Sequence, residues 1–120
     1  MTAVLIVDDD PILRAVAAEA LRGLRPVFEA ENGAEALEVL QNEDIGLVFL
    51  DMLMPVKDGY EVLLEIRNRF PTLKVAAMSG GGRIGAQDLL ATARVFGAQA
   101  ALRKPLGAAD FVSATRALLD

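Results

Sequence analysis

The stretch Val4-Leu5-Ile6-Val7-Asp8-Asp9-Asp10-Pro11 places four apolar residues directly before three aspartates and a proline. A short, continuous apolar run is typical of a strand that is covered on both faces. Asp10 followed by Pro11 is typical of a helix N-cap with proline in the first helical position. The stretch therefore predicts a buried strand that leads at once into a helix, with Asp8 and Asp9 at the junction.

The same alternation continues to the end of the chain. Further apolar runs, the last of them weaker, lie at Val27-Phe28, Leu47-Val48-Phe49-Leu50, Val75-Ala76-Ala77-Met78 and Ala100-Ala101-Leu102. Segments with helical spacing of apolar residues separate and follow these runs. Five repeats of strand and helix predict an α/β fold with a single five-stranded parallel sheet, right-handed crossovers and helices on both faces. Residues 1–120 are expected to form one domain.

Each predicted helix is marked by a stripe of apolar residues at helical spacing. The first stripe is the longest: Ile12, Leu13, Val16, Ala17, Ala20, Leu21 and Leu24. A later stripe, on the fourth helix, is formed by Leu89, Leu90, Ala93 and Phe96. Asn32 and Asp58 each precede a glutamate by three residues, which is the spacing of a capping box, so they predict the starts of the second and third helices.

The composition narrows the chemistry that is available. The chain has neither cysteine nor histidine, and its formal net charge is −5. The lack of cysteine excludes disulfides and thiolate metal sites and favours a cytoplasmic location, while the lack of histidine removes the commonest general base. The acidic charge argues against a nucleic-acid-binding surface, and no apolar run approaches the roughly 18 residues that would span a membrane.

The carboxyl ends of the predicted strands carry the candidate site residues, and ligands bind at these ends in open parallel sheets. In chain order they are Asp8 and Asp9, Asp51, Ser79, and Lys104-Pro105. Carboxylates gathered at one sheet edge repel each other unless a cation lies among them, and an oxygen-only ligand set suits Mg²⁺. A hydroxyl and an ammonium nearby suit the oxygens of a phosphoryl group, and a carboxylate beside the metal can act as a nucleophile.

Taken together, these motifs resemble the signature set of the response-regulator receiver family, and the resemblance covers the whole chain. The residues that carry it are Asp8-Asp9, Asp51-Met52-Leu53-Met54-Pro55-Val56-Lys57-Asp58-Gly59, Ser79 and Lys104-Pro105. The resemblance implies a flavodoxin-like, doubly wound sheet with the strand order 2-1-3-4-5. It also implies a regulatory module rather than an enzyme, one that acts in two-component signal transduction or a phosphorelay.

The resemblance further implies partners and a role for each site residue. Asp51 would accept a phosphoryl group from a phosphohistidine on a sensor histidine kinase or a histidine phosphotransfer protein, and the altered surface would then act on a downstream protein. Ser79 and Lys104 would each contact a phosphoryl oxygen, and the peptide before Pro105 would be cis. Mg²⁺ would be bound directly by Asp9, with Asp8 helping mainly through water, and also by Asp51 and the backbone carbonyl of Leu53. A homodimer is compatible with the family, whereas nucleic acid and membrane contacts are not implied.

Two positions depart from what related proteins carry. Receivers usually have an aromatic residue where Ala101 stands, so we expect switching to act through the loop after Ser79 and the fourth helix. This departure leaves open an unphosphorylated docking domain of the same fold. Phosphatases with an aspartyl nucleophile generally have a second aspartate where Leu53 stands, which argues against that enzyme class.

The sequence also raises two alternative functions in which the chain would bind a cofactor. The loop Gly80-Gly81-Gly82-Arg83-Ile84-Gly85 matches a dinucleotide-binding pattern, but it follows the fourth strand and lacks an acidic residue about 20 positions on. We interpret it as a flexible loop beside the site. A flavodoxin-like FMN protein is disfavoured because the FMN phosphate would meet Asp8, Asp9 and Asp51.

Overall fold

A computed structural model of the protein describes residues 2–54, 58–80 and 86–120, with the side chains of 86–90 excepted. Strands and helices alternate along the chain. The strands are β1 (Ala3–Val7), β2 (Val27–Ala30), β3 (Ile45–Asp51), β4 (Lys74–Ser79) and β5 (Ala100–Arg103). The helices are α1 (Pro11–Leu21), α2 (Gly33–Asn42), α3 (Gly59–Arg69), α4 (Ala86–Val95) and α5 (Ala108–Leu119).

The five strands form one parallel sheet in the order β2-β1-β3-β4-β5, which confirms the predicted fold. β1 lies between β2 and β3, with Leu5 beside Phe28 on one side and Val48 on the other. Because all strands run the same way, their carboxyl ends meet at one edge of the sheet. The order brings the ends of β1, β3, β4 and β5 next to one another at that edge.

The residues predicted to begin helices do so through the expected contacts. The side chains of Asp10, Asn32 and Asp58 accept hydrogen bonds from the backbone N–H groups of Ile12, Glu35 and Glu61, at 2.9, 2.9 and 3.0 Å. Each bond satisfies a donor that would otherwise lack a partner at a helix start. The first and third of these caps fix where the chain leaves the sheet edge after β1 and after β3.

Alternating side chains of the strands supply two cores, one on each face of the sheet. On one face α1 and α5 pack against the sheet, and Phe49 meets Phe111 edge to face with ring centroids 5.1 Å apart. On the other face α2, α3 and α4 cover residues such as Leu50 and Val75, both fully buried. No helix in the described part of the chain is long and apolar enough to cross a membrane.

The apolar stripe of α1 is only partly buried. Ala17 and Leu21 are fully buried, but Ile12 is 73% exposed and Val16 is 37% exposed. Ile12 and Val16 line the cleft at the strand ends instead.

The predicted stripe on the fourth helix is only partly observed. Ala93 is buried, whereas Phe96 lies beyond the end of α4 and is 39% exposed. The side chains of Leu89 and Leu90, and residues 81–85 of the glycine-rich loop, lie outside the described residues.

Candidate functional site

Three aspartates converge at the carboxyl ends of β1 and β3. Asp8 and Asp9 follow β1, and Asp51 is the last residue of β3. One carboxylate oxygen from each lies within 4.8 Å of the others. Asp8 and Asp51 are buried, while Asp9 is exposed on the open side of the group. Three carboxylates this close, two of them removed from water, repel one another and require a compensating positive charge.

Lys104 supplies part of that charge. Its Nζ lies 2.7 Å from Asp8 Oδ2 and 3.5 Å from Asp51 Oδ2. Burial works to lower the pKa of Lys104, but the hydrogen bond to Asp8 and the charge of Asp51 outweigh it, so the pKa lies above its ordinary value. The lysine is therefore held as an ammonium within the acidic group.

Two backbone features place the lysine. The Lys104–Pro105 peptide is cis, as predicted. Gly80, which follows β4, packs so closely that a Cβ there would lie 2.6 Å from the Cβ of Lys104. The lysine backbone also bonds to the end of β4, since its N–H donates to the carbonyl of Ser79 at 3.0 Å.

The environment of Asp51 makes its carboxylate less acidic than usual. Burial raises its pKa to about 6, with the charges of Asp8 and Asp9 adding to the rise. The N–H of Leu53, which donates to Asp51 Oδ1 at 3.1 Å, and the charge of Lys104 act in the opposite direction. Above pH 6 the group is mostly ionised, so it is both buried and available as a nucleophile.

The chemistry of these residues fits a hard divalent cation. The donors are carboxylate oxygens, Asp9 is open to water, and the charge of one lysine does not balance three carboxylates. Mg²⁺ takes one or two carboxylates and completes its shell with water or phosphate oxygens, which suits a group with one open side. Leu53 lines the same cleft, and the role of its carbonyl as a ligand stays a prediction.

Ser79 lies at the end of β4, one residue beyond the Met78 that pairs with Asp51. It is fully buried, and its Oγ has no hydrogen-bond partner among the described residues. A buried hydroxyl without a partner costs about 1–3 kcal/mol. It is therefore a group that a new acceptor at this edge would satisfy.

The site opens into a cleft of about 610 Å³. Asp9, Asp51 and Lys104 form its polar side, and on the other side Ile12, Leu13, Val16 and Leu106 form an apolar wall. The sequence interpretation missed this wall because apolar residues at helical spacing were used only to mark helices. The sequence feature that could have indicated this wall is the position of Ile12 and Val16, which lie within two helical turns of the aspartates.

Comparison with known proteins identifies the family of this chain. The family model described as the response regulator receiver domain matches residues 4–116. This chain belongs to the response regulator receiver family. As a receiver domain, it is a part of two-component signalling.

Curated relatives of this receiver domain are longer proteins of more than one kind. The transcriptional activator protein ExaE of Pseudomonas putida is 38% identical over 97% of this chain, and the response regulator protein FleR of Pseudomonas aeruginosa is 40% identical over 98%. The chain spans only 54% of ExaE and 23% of FleR. Other relatives are protein-glutamate methylesterases, such as one from Hahella chejuensis of which the chain spans 26%.

Solved structures share the receiver fold. The receiver domain of NtrX from Brucella abortus superposes with a TM-score of 0.88 at 28% identity, and the match covers 97% of each chain. The BeF3-activated DrrB receiver domain superposes with a TM-score of 0.86 at 23% identity, which shows the fold alone.

The structure gives Ala101 a specific setting in this receiver domain. It lies on β5 beside Ala77 of β4 and packs against the core on the α2–α4 face. Tyr60 of α3 packs against the same core, meets Phe96 edge to face with centroids 6.0 Å apart, and hydrogen bonds to Thr92 of α4. An aromatic contact therefore joins α3 to the end of α4 on the face where Ala101 offers only a methyl group.

Proposed function

We propose that this receiver domain accepts a phosphoryl group on Asp51 in a Mg²⁺-dependent reaction and acts as a regulatory switch. The observation that carries the proposal is the group formed by Asp8, Asp9 and Asp51, whose oxygens lie within 4.8 Å of one another beside Lys104. A buried carboxylate with a pKa of about 6 is ionised near neutral pH, and it lies where a cation and an ammonium can neutralise an incoming phosphoryl group.

The donor that the site suits is a phosphohistidine of a sensor histidine kinase or a histidine phosphotransfer protein, since this chain contains no histidine. An oxygen of Asp51 forms a bond to phosphorus as the bond from phosphorus to the donor imidazole nitrogen breaks. The electron pair of the broken bond stays on the imidazole nitrogen. When bound by the acidic group, Mg²⁺ would supply charge neutralisation to the phosphoryl oxygens.

Residues of the chain supply the remaining interactions. Asp8, Asp9 and Asp51 would hold the cation, with the Leu53 carbonyl as a further ligand. Lys104 pairs with one phosphoryl oxygen, and the Ser79 hydroxyl, which lacks a partner among the described residues, donates to another. Each interaction is stronger with the phosphorylated state than with the free carboxylate, so phosphorylation favours a different arrangement of the sheet edge.

The apolar wall beside the site suits the partner that delivers the phosphoryl group. Ile12 is 73% exposed and lines the cleft that holds Asp51. A donor protein that brings a histidine side chain to Asp51 must cover this wall. Burial of its side chains would therefore contribute binding energy next to the reacting groups.

Switching would involve α4 rather than a ring on β5. Ala101 has no ring to reorient, and Tyr60 already links the start of α3 to Thr92 and Phe96. Gly59, next to Tyr60, packs against the Asp51 carbonyl so closely that a Cβ would lie 2.6 Å away. This chain of contacts connects the phosphoacceptor to the end of α4, where a downstream protein could detect the change.

Intact-mass analysis after incubation with acetyl phosphate tests the proposal. We expect a gain of one phosphoryl group that requires Mg²⁺, is lost with EDTA and is absent from Asp51→Asn. A wild-type protein that stays unmodified would favour the alternative supported by Ala101, an unphosphorylated docking domain of the same fold. Continuous release of phosphate from a phosphomonoester would instead indicate a phosphatase.

A further inference from the structure

Arg14 of α1 connects the residue that follows β1 to strand β2 through separate nitrogens of one guanidinium. Its Nη1 donates to the backbone carbonyl of Asp8 at 2.8 Å, and its Nε donates to Glu29 Oε1 on β2 at 3.1 Å. The arginine side chain is only 17% exposed, and Glu29 is 44% exposed. Lysine has one nitrogen and cannot bond in both directions with the same fixed geometry.

The carbonyl that Arg14 contacts belongs to the peptide that joins the two aspartates after β1. The peptide is planar, so a bond to the Asp8 carbonyl also fixes the orientation of the Asp9 N–H and the start of the Asp9 residue. The other polar groups of Asp8 are held as well: its N–H donates to the carbonyl of Ala30 at 3.1 Å, and its Oδ1 accepts from the N–H of Asp10 at 2.9 Å. Arg14 adds a hydrogen bond from a side chain of α1 to the carbonyl of this peptide.

Glu29 neutralises the charge of Arg14, so that Arg14 acts on the site mainly through its hydrogen bond. A free guanidinium near the three aspartates would repel a cation. Because Glu29 lies 3.1 Å from Nε, the pair is close to neutral as seen from the site. The contribution of Arg14 is then the fixed hydrogen bond rather than a positive field.

We infer that Arg14, oriented by Glu29, is a positioning residue that sets the Asp8–Asp9 backbone for binding a divalent cation. The inference rests on the proposed function, in which Asp8 and Asp9 hold Mg²⁺. Residues that orient metal ligands without touching the metal commonly change affinity by a factor of ten or more when they are removed.

A charge-neutral double variant, Arg14→Met with Glu29→Gln, tests the inference by calorimetric titration with MgCl₂. The matched control is Arg22→Met with Glu19→Gln, which removes an exposed ion pair, 3.5 Å long, on the same helix. We expect the first variant to bind Mg²⁺ about tenfold more weakly and the control to stay within about twofold of the wild type. Arg14→Lys keeps the charge and one of the two hydrogen bonds. Its Mg²⁺ affinity is expected to lie between those of the double variant and the control.

A second readout needs no metal and no phosphorylation. In the metal-free protein we expect faster hydrogen exchange at the Asp9 and Asp10 amides of the double variant, with the amides of β4 unchanged. Equal Mg²⁺ affinity in the double variant and the wild type, or an equal loss in the control, would overturn the role of Arg14. A wild-type protein that binds no Mg²⁺ would overturn the proposed function instead, and the exchange rates would still report whether Arg14 holds the peptide.

Discussion

The ammonium of Lys104 lies closer to Asp8, at 2.7 Å, than to the proposed phosphoacceptor Asp51, at 3.5 Å. In this state the lysine is bound mainly by a carboxylate that the cation would also use. On the proposed function, Mg²⁺ and Lys104 would compete for the charge of Asp8, and the lysine would become available to a phosphoryl oxygen once the cation is bound.

This competition predicts that Lys104→Met binds Mg²⁺ more tightly than the wild type. Removing the ammonium frees Asp8 and removes a repulsive charge, so we expect the affinity to rise roughly threefold or more. The same variant should be phosphorylated less, because one phosphoryl oxygen loses its partner. Arg103→Met removes an exposed charge from the neighbouring position and serves as the control. Calorimetry that shows weaker Mg²⁺ binding by Lys104→Met than by Arg103→Met would contradict the competition.

The raised pKa of Asp51 predicts a pH-dependent stability in metal-free buffer. The pKa is about 6 in the folded protein against an ordinary 3.8, so the folded state binds more protons between these values and the free energy of unfolding falls as pH rises through this range. Above this range, ionisation of Asp51 lowers the free energy of unfolding by about 3 kcal/mol. Asp51→Asn cannot ionise, so urea unfolding with EDTA should show it more stable than the wild type at pH 7.5, with the difference vanishing towards pH 4.

The exposed Asp44 provides a control for that series. Asp44→Asn is expected to change the free energy of unfolding by less than about 0.5 kcal/mol at every pH. Added Mg²⁺ should raise the stability of the wild type and leave Asp51→Asn nearly unchanged. If the stability advantage of Asp51→Asn over the wild type were no larger at pH 7.5 than at pH 4, burial would not be destabilising the ionised carboxylate.

Gly59 is predicted to be intolerant of any side chain. A Cβ there would lie 2.5 Å from Met52 Cα and 2.6 Å from the Asp51 carbonyl oxygen, both of them backbone atoms that have little room to move. We expect Gly59→Ala to lower the free energy of unfolding by about 2 kcal/mol and to slow labelling by acetyl phosphate. Gly107→Ser, where the nearest atom would lie 3.9 Å from the new Cβ, should leave both unchanged. Urea unfolding of Gly59→Ala at the wild-type midpoint would refute the packing argument.

The apolar wall predicts a separation of partner binding from chemistry. Ile12→Asp places a charge where a donor protein would bury a side chain, so phosphotransfer from a phosphorylated histidine kinase should slow about tenfold or more. Labelling by acetyl phosphate, which needs no protein surface, should change little. Leu64→Asp on α3, which alters a side chain that is 51% exposed, is the control. An equal effect of Ile12→Asp on both donors would show that the residue serves the site and not the partner.

The contacts of Tyr60 predict the route of the conformational change. Beryllofluoride with Mg²⁺ should shift backbone NMR signals of residues 91–97 in the wild type, because Tyr60 contacts Thr92 and Phe96. Tyr60→Leu should reduce these shifts by about half and leave those of Asp9 in place. Signals of residues 91–97 that do not respond in the wild type would remove α4 from the switching mechanism.

The parallel sheet of alternating strands and helices and the acidic group could be predicted from patterns along the chain, whereas the strand order was implied by the family resemblance. Continuous apolar runs predict buried strands, and Asp51 at the end of one such run would be costly without a function. The strand limits were less predictable: β2 extends through the polar Glu29 to Ala30, because pairing of its backbone with Ile6 and Val7 sets its length. Because backbone pairing does not depend on side-chain polarity, the pattern of apolar residues does not show where this strand ends.

The features that sequence reasoning missed have the same origin. Arg14 contacts a backbone carbonyl, and every residue has one, so no residue type in the sequence marks the acceptor. Ile12 and Val16 fit the apolar stripe of α1 by spacing, and only the position of the helix relative to the sheet edge shows that they line the cleft. The Arg14 hydrogen bond and the apolar wall both depend on the position of α1 in the folded structure.

The claim that the other proposals share is that Asp8, Asp9 and Asp51 hold one divalent cation. Calorimetric titration of the folded wild type with MgCl₂ at pH 7.5, performed at two temperatures so that a vanishing enthalpy cannot hide binding, tests it most directly. We predict saturable binding of one ion per chain that is strongly weakened in Asp9→Asn and in Asp51→Asn and is retained in Asp10→Asn, because asparagine preserves the N-cap of α1. Folded wild-type protein that takes up no Mg²⁺ at either temperature would contradict the account.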